Sequence, residues 1–182
     1  MPEVIQERIR ATGFEPFILA LPTVVGRHDL NGLYALMERW MDSTHTFHLP
    51  VGELTLDPVS FTVITGVACA GEPVPFDRRL VLMTQDRATY VKRLLGMVPA
   101  MKATHTVKFD FILSHYSGIA SEDITSPRDI DQVVCAFIFY LLGTTLFYDA
   151  ASSVDLVLLM ALQDVNLIHT FDWGSAALAY LY

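Results

Sequence analysis

The chain has 182 residues, of which 52% are hydrophobic and 18% charged, and its formal net charge is −8. A chain of this length can bury the core of one domain without disulfides, and this composition excludes an intrinsically disordered protein. The longest uncharged run, residues 133–148, is shorter than the ~20 apolar residues that a bilayer-spanning helix needs, so it predicts a buried helix. The first ten residues carry charge and no apolar run, and we therefore expect no signal peptide.

The first part of the chain is predicted to be helical. An amphipathic pattern predicts a helix over residues 3–12, and the proline-containing segment 14–25 predicts short turns or a short helix. Asp29 is the candidate N-cap of a helix over residues 30–41, whose apolar residues recur at three- and four-residue steps. These apolar residues are Leu30, Leu33, Tyr34, Met37 and Trp40.

Residues 44–49 and 53–56 are rich in β-forming residues and predict a β-hairpin. The tripeptide 50–52 between them fits a three-residue loop, because proline presets the first φ of a type I turn and glycine accepts the left-handed third position. This loop pairs Leu49 with Glu53. A two-residue loop separates polar from apolar faces better, but its usual primed turns need a positive φ that proline cannot adopt. The turn chemistry therefore favours the three-residue loop.

Two proline-containing signals predict the starts of later helices. Asp57 followed by Pro58 predicts an N-cap and a first helical residue, with the helix ending at Gly66. The sequence SPRD at 126–129 is close to a capping box and opens the longest predicted helix, to about residue 147. Shorter helices are predicted at residues 86–95 and 107–116.

Together these elements predict a single, predominantly α-helical α+β domain over residues 1–182. It has one small β-hairpin packed among about seven to nine helices. Residues 176–182 have a helical pattern with no cap, so we expect the domain to be truncated at its C-terminus.

The charge of the chain is unevenly distributed. Between Arg78 and Lys108 lie seven basic residues and one acid, whereas the remainder holds five basic and nineteen acidic residues. A solvated helix surface is the simpler explanation, and a docking surface for an acidic partner is the alternative. On that alternative the partner-binding residues are Arg78, Arg79, Lys92 and Arg93. Nucleic acid is not favoured as the ligand, because aromatic residues are sparse here and the rest of the chain is acidic.

The residues indicate no catalytic, cofactor-binding or metal site. His45 and His48 lie three apart on a predicted strand, so they point to opposite faces, and no paired-cysteine motif is present. Nucleophile-elbow, Walker and dinucleotide-binding motifs are absent. Cys69 and Cys135 have apolar neighbours and are expected to be buried thiols in a reducing compartment. We expect no catalytic residue, no cofactor and no metal.

Three blocks of the sequence resemble the plant mobile domain family. They are ERWMDSTHTFHLPVGELTL at 38–56, YLLGTTLFYD at 140–149 and WGSAALAYLY at 173–182, and LLGMVP at 94–99 resembles a connecting block. The structural hallmark residues of this resemblance are Trp40, Phe47, Pro50, Gly52, Asp57, Trp173 and Gly174. Within the first block we expect Trp40, Phe47, Leu49, Leu54 and Leu56 to connect the hairpin to the helices on either side.

The resemblance implies a plant nuclear protein that acts in transposon and gene silencing, genome maintenance and meristem maintenance. It also implies action with a plant serine/threonine phosphatase-like protein. We therefore expect a non-enzymatic protein-interaction module in the nucleus, without membrane contact, and self-association or association with a second protein stays open. The first alternative is a nucleic-acid-binding module derived from a transposon, because such domains also occur in plant retrotransposons.

The second alternative is an uncharacterised enzyme. Similar chains have been labelled aminotransferase-like, but the three lysines here all lie in the basic segment and no phosphate-binding glycine loop accompanies them. No catalytic residue is established for the family that could be transferred to this chain.

Overall fold

A computed structural model describes residues 2–22, 29–78, 87–98, 105–117, 124, 126–148 and 152–182. These residues form eight α-helices, two 3₁₀ helices and two small antiparallel sheets. The predicted class, a predominantly helical α+β domain, is confirmed. Of the sequence predictions, residues 23–25, 86, 99 and 149 lie outside the described residues, as does Arg79.

The α-helices are α1 (Glu3–Ala11), α2 (Glu15–Ala20), α3 (Leu30–Met37), α4 (Pro58–Thr65), α5 (Arg87–Leu95), α6 (Phe109–Tyr116), α7 (Pro127–Thr144) and α8 (Trp173–Leu181). The strands are β1 (Trp40–Met41), β2 (Thr46–Leu49), β3 (Gly52–Leu54), β4 (Thr106–Lys108) and β5 (Ser153–Asp155). The 3₁₀ helices cover Leu156–Met160 and Ile168–Thr170. None of the described helices combines the length and apolarity needed to cross a lipid bilayer.

Helix α7 lies at the centre of the core. It begins with the predicted capping box, in which the Ser126 hydroxyl accepts a hydrogen bond from the Asp129 amide and the Asp129 carboxylate accepts one from the Ser126 amide. Helices α1, α5 and α6 and strand β5 pack around it. Ile138, Phe139 and Leu142 are fully buried. Residues 133–144 of the uncharged run therefore form a buried helix, as predicted, but the helix ends at Thr144 instead of about residue 147.

The loop between β2 and β3 differs from the predicted one. It consists of Pro50 and Val51, and Leu49 lies opposite Gly52. The predicted three-residue loop, with Leu49 opposite Glu53, is wrong. The positive φ, +133°, occurs at Gly52 directly after the loop, whereas Pro50 and Val51 keep negative φ values. Proline is therefore compatible with a two-residue loop at this position.

The observed register separates the two faces of the hairpin. Phe47 lies opposite Leu54, and His48 lies opposite Glu53. Because side chains alternate along a strand, the apolar pair and the polar pair occupy opposite faces. The observed register thus separates apolar from polar side chains better than the predicted register does.

Helix α3 ends four residues earlier than predicted, and Trp40 belongs to a third strand. Trp40 pairs with Phe47, which makes the hairpin a three-stranded meander. The His48 amide also donates a hydrogen bond to the Arg39 carbonyl, at 2.8 Å. The helical spacing of Trp40 was misleading, because pairing with β2 satisfies the backbone groups that a continued helix would have used.

A second, two-stranded sheet was not predicted. Strands β4 and β5 pair with Thr106 opposite Asp155, so residues 106–108 are extended and helix α6 begins at Phe109 instead of residue 107. Strand β5 packs on α7, and so the sheet covers one end of the core.

Candidate functional site

Helix α3 has no buried residue. Its exposed large apolar side chains are Leu30 (60%), Leu33 (48%), Tyr34 (60%), Leu36 (40%) and Met37 (68%). No described element packs extensively against it. An eight-residue helix is marginal in water without packing, so a helix in this situation presents an apolar surface without the burial that normally stabilises it.

Four of these side chains form one row. Leu30, Leu33, Tyr34 and Met37 are spaced at i, i+3, i+4 and i+7, so they lie along one side of the helix. We call this row the α3 face. The sequence pattern showed the row, but such a row usually faces the core of its own domain. Here it faces solvent.

The ends of α3 carry mostly acidic residues. Asp29 is the N-cap and accepts a hydrogen bond from the Asn31 amide at 3.1 Å. Glu38 and Asp42 follow the helix and are exposed, with Arg39 between them. Over residues 29–66 the chain has five acids and one arginine. The α3 face therefore lies within an acidic stretch of the chain.

Helix α4 has a second exposed apolar row. Its exposed members are Val59 (73%), Val63 (79%) and Ile64 (66%), whereas Phe61 is buried on the side that packs against α2 and α8. The helix starts as predicted, because the Asp57 carboxylate accepts hydrogen bonds from the Ser60 amide and hydroxyl at 2.8 and 3.0 Å. These bonds lower the pKa of Asp57.

An aromatic cluster holds the meander against the end of α8. The Trp40 ring stacks on Tyr182 with centroids 6.2 Å apart, and Phe47 meets Trp40 edge-on at 4.9 Å. The Tyr182 hydroxyl donates a hydrogen bond to the Leu56 carbonyl at 2.8 Å. Two hallmark residues, Trp40 and Phe47, thus connect the meander to the helical body. Leu54, which we expected to share this role, is 57% exposed.

Two further hallmark residues, Trp173 and Gly174, lie at the start of α8. Trp173 is buried, and its indole N–H donates to the Ile168 carbonyl at 2.8 Å. The Gly174 amide donates to the Ala68 carbonyl at 3.1 Å. A Cβ on Gly174 would lie 2.5 Å from that oxygen and 2.6 Å from the Cys69 sulfur, so only glycine permits this close approach.

Of the predicted basic residues, the described ones, Arg78, Lys92 and Arg93, are not brought together in one cavity. Arg78 lines a cavity of about 560 Å³ between β4, β5 and α8. Arg93 lies over the ring of Tyr90, 4.6 Å from its centroid, and lines a different cavity, while Lys92 is exposed on the same helix. Arg79 lies outside the described residues. That these residues act as one docking surface stays a prediction.

The cavity beside Arg78 also contains a histidine–carboxylate pair. His105 Nε2 lies 3.3 Å from an oxygen of Asp155, and both side chains are about half exposed. The other Asp155 oxygen accepts a hydrogen bond from the Val157 amide at 2.9 Å, which caps the following 3₁₀ helix. The wall of the cavity includes Phe147, whose ring is 5.5 Å from that of Tyr180. Asp155 therefore has a local structural role, and exposure weakens its electrostatic coupling to His105.

The two cysteines are not paired. Cys135 is buried, and burial, followed by the charge of Asp131, raises the pKa of its thiol to about 12. A thiol of this kind is protonated at neutral pH and unreactive. Cys69 is only partly buried. Among the described residues no group of three or more potential ligands could hold a metal ion, and His48 instead lies 3.8 Å from Glu53.

Comparison with known proteins identifies relatives over most of the chain. A sequence model of the plant mobile domain matches residues 17–182. Protein MAIN-LIKE 2 of Arabidopsis thaliana is 30% identical over 97% of this chain, which is 25% of the relative. Protein MAINTENANCE OF MERISTEMS of the same plant is 29% identical over 87% of this chain, which is 33% of the relative.

A third relative is a serine/threonine-protein phosphatase 7 long form homolog of Arabidopsis thaliana. It is 31% identical over 81% of this chain, and the match covers 11% of the relative. The chain thus spans a third or less of the length of each of these relatives. No solved structure matches it.

Proposed function

The chain belongs to the plant mobile domain family, and from this membership we propose that it is a protein-interaction module that acts by binding and not by catalysis. The observation that carries the proposal is the α3 face, an apolar helix surface that the described residues leave uncovered. Contiguous exposed apolar surface is typical of protein-binding sites.

The energetics of the α3 face favour a bound partner. Removing a large apolar side chain from water contributes roughly 1.5–3 kcal/mol when burial is complete. Four such side chains lie in one row, each between 48% and 68% exposed. A partner that covered them would also stabilise the short helix that carries them.

The proposed partner is a serine/threonine phosphatase-like protein. A phosphatase 7 long form homolog contains a region similar to this chain, which supports a functional connection between this domain and such phosphatases. The name of another relative, MAINTENANCE OF MERISTEMS, supports a role in meristem maintenance. Action in the nucleus, in transposon and gene silencing and in genome maintenance belongs to the same proposal, and its support is the sequence resemblance alone.

The test is co-purification of the full chain with the Arabidopsis phosphatase 7 long form homolog. The variant Leu33→Gln/Met37→Gln removes apolar surface from the α3 face. Its matched control is Leu19→Gln, on α2, where the leucine is 77% exposed. We expect the α3 variant to lose binding and the control to keep it, with unchanged melting temperatures for both. Retention of binding by the α3 variant would contradict the proposal that this face is the interface.

A further inference from the structure

Resting on the proposed function, we infer that the α3 face binds an amphipathic helix of the partner protein whose apolar side is flanked by basic residues. The inference specifies the shape and the charge of the occupant. The shape follows from the spacing on α3, and the charge follows from the acids around it.

A helix fits the α3 face better than an extended strand. Rows spaced at i, i+3, i+4 and i+7 pack against the grooves of another helix. An added strand would need an open sheet edge, and the edge strands of the neighbouring meander, β1 and β3, are two and three residues long. Edges of this length offer few backbone hydrogen bonds to an added strand.

The charge of the surroundings selects basic residues on the partner. Asp29 stands at one end of α3, and Glu38 and Asp42 at the other, with Arg39 as the single basic residue between positions 29 and 66. Acids at both ends complement a helix that carries lysine or arginine beside its apolar side. Such charge pairs raise the association rate and reject acidic competitors more than they increase affinity.

A second copy of this chain is a poor occupant. If two α3 faces met in parallel, Asp29 would face Asp29, and if they met antiparallel, Asp29 would face Glu38. Either arrangement places like charges together, which is unfavourable.

The basic helix α5 of a second copy cannot serve instead. Its apolar residues Val91, Leu94 and Leu95 are buried in the core of its own domain. A copy could present that side only by unfolding the contact between α5 and α7. Helix α5 of a second copy is therefore excluded as the occupant, and the inference places the basic amphipathic helix in a partner protein.

The experiment uses two labelled synthetic peptides with the same leucine-based amphipathic helical pattern. One has lysines beside the apolar side, and the other has glutamates at the same positions. Fluorescence anisotropy titrations with the full chain are performed at low and high salt. The variant Leu33→Gln/Met37→Gln tests whether the peptides bind at the α3 face. The variant Glu38→Lys/Asp42→Lys tests whether the acids beside that face select the basic peptide. The variant Leu19→Gln is the control for surface leucines.

We expect the basic peptide to bind roughly tenfold more tightly than the acidic one at low salt, as a few rim charge pairs allow. The preference should shrink at high salt because the charges are exposed. The variant Glu38→Lys/Asp42→Lys should reverse it, and Leu33→Gln/Met37→Gln should abolish binding of both peptides.

Three results would overturn the inference. Equal binding of the two peptides, lost in the α3 variant, would refute the basic partner while leaving the α3 face as a docking surface. Sedimentation that shows self-association of the full chain, abolished by the α3 variant, would make a second copy the occupant. In the third result, neither peptide binds, but the phosphatase homolog co-purifies with the parent chain and not with the α3 variant. That result would leave the proposed function standing and exclude a basic helix as the occupant.

Discussion

Trp40 stacks on Tyr182, with the ring planes only 5° apart. Trp40 lies in the opening strand of the meander, and Tyr182 directly follows helix α8. The contact joins two blocks of sequence that each resemble the same family but are far apart along the chain. It also sets the position from which α3 projects, because β1 follows α3 after two residues.

Trp40→Ala should destabilise the domain. Because the indole is half-buried, we expect a loss of about 2 kcal/mol in the free energy of unfolding, below the full value for a buried aromatic side chain. Urea denaturation measures the loss. Tyr34→Ala is the matched control, since Tyr34 is 60% exposed on α3 and its loss should change stability little. An unchanged midpoint for Trp40→Ala would show that the stack with Tyr182 does not hold the meander.

Gly174→Ala should also destabilise the domain, for a different reason. The added Cβ would lie 2.5 Å from the Ala68 carbonyl oxygen, so α8 or residues 67–69 must move. Overpacking of this kind costs about 1–3 kcal/mol. Thermal melting is the measurement, and Ser175→Ala on the exposed side of the same helix is the control. If Gly174→Ala has the same melting temperature as Ser175→Ala, the close approach at the start of α8 does not contribute to stability.

The Cys135 thiol should make stability fall at alkaline pH. Burial raises its pKa from 9.0 to about 12, so the folded protein holds this proton more tightly than the unfolded chain. This contribution is fully present below pH 9 and is lost as the pH rises from 9 towards 12.

We expect Cys135→Ala to reduce the alkaline slope of the unfolding free energy by at most ~1.4 kcal/mol per pH unit. Denaturant titrations at a series of pH values provide the comparison, and Cys69→Ala, at the partly buried thiol, is the control. Parallel slopes for the parent chain and Cys135→Ala would contradict burial of this thiol.

The basic residues should steer an acidic partner. Reversing Arg78, Arg79, Lys92 and Arg93 to glutamate should slow association with the phosphatase homolog, because long-range attraction becomes repulsion. Each rim pair contributes only ~0.2–1 kcal/mol, so single reversals are expected to have little effect. The melting temperature should fall little, since Arg78, Lys92 and Arg93 are exposed side chains.

Stopped-flow association at low and high salt measures this effect. A variant with lysine and arginine exchanged at the same four positions keeps the charge and serves as the control. If the glutamate variant associates at the wild-type rate in low salt, the basic segment is a solvated helix surface and not a docking surface.

The elements set by a few neighbouring residues were predictable from the sequence alone. The starts of α4 and α7 depend on Asp57, Pro58 and the tetrapeptide 126–129, and the structure shows these caps as predicted. Their hydrogen bonds close within three residues, so local sequence contains all the groups involved. Burial of the uncharged run in α7 was also predictable, because the run is shorter than the ~20 apolar residues that a bilayer-spanning helix needs.

Contacts between distant residues were decided only by the tertiary structure. Trp40 has helical spacing but lies in β1, because pairing with Phe47 and stacking on Tyr182 outweigh the local pattern. The register at Leu49 belongs to a meander in which Phe47 pairs with both Trp40 and Leu54, and turn propensity does not contain these pairings. The exposure of Leu33 and Met37 is the clearest case. Periodicity reports that a helix has an apolar side, but only the packing of the remaining elements decides whether that side meets the core or stays open to a partner.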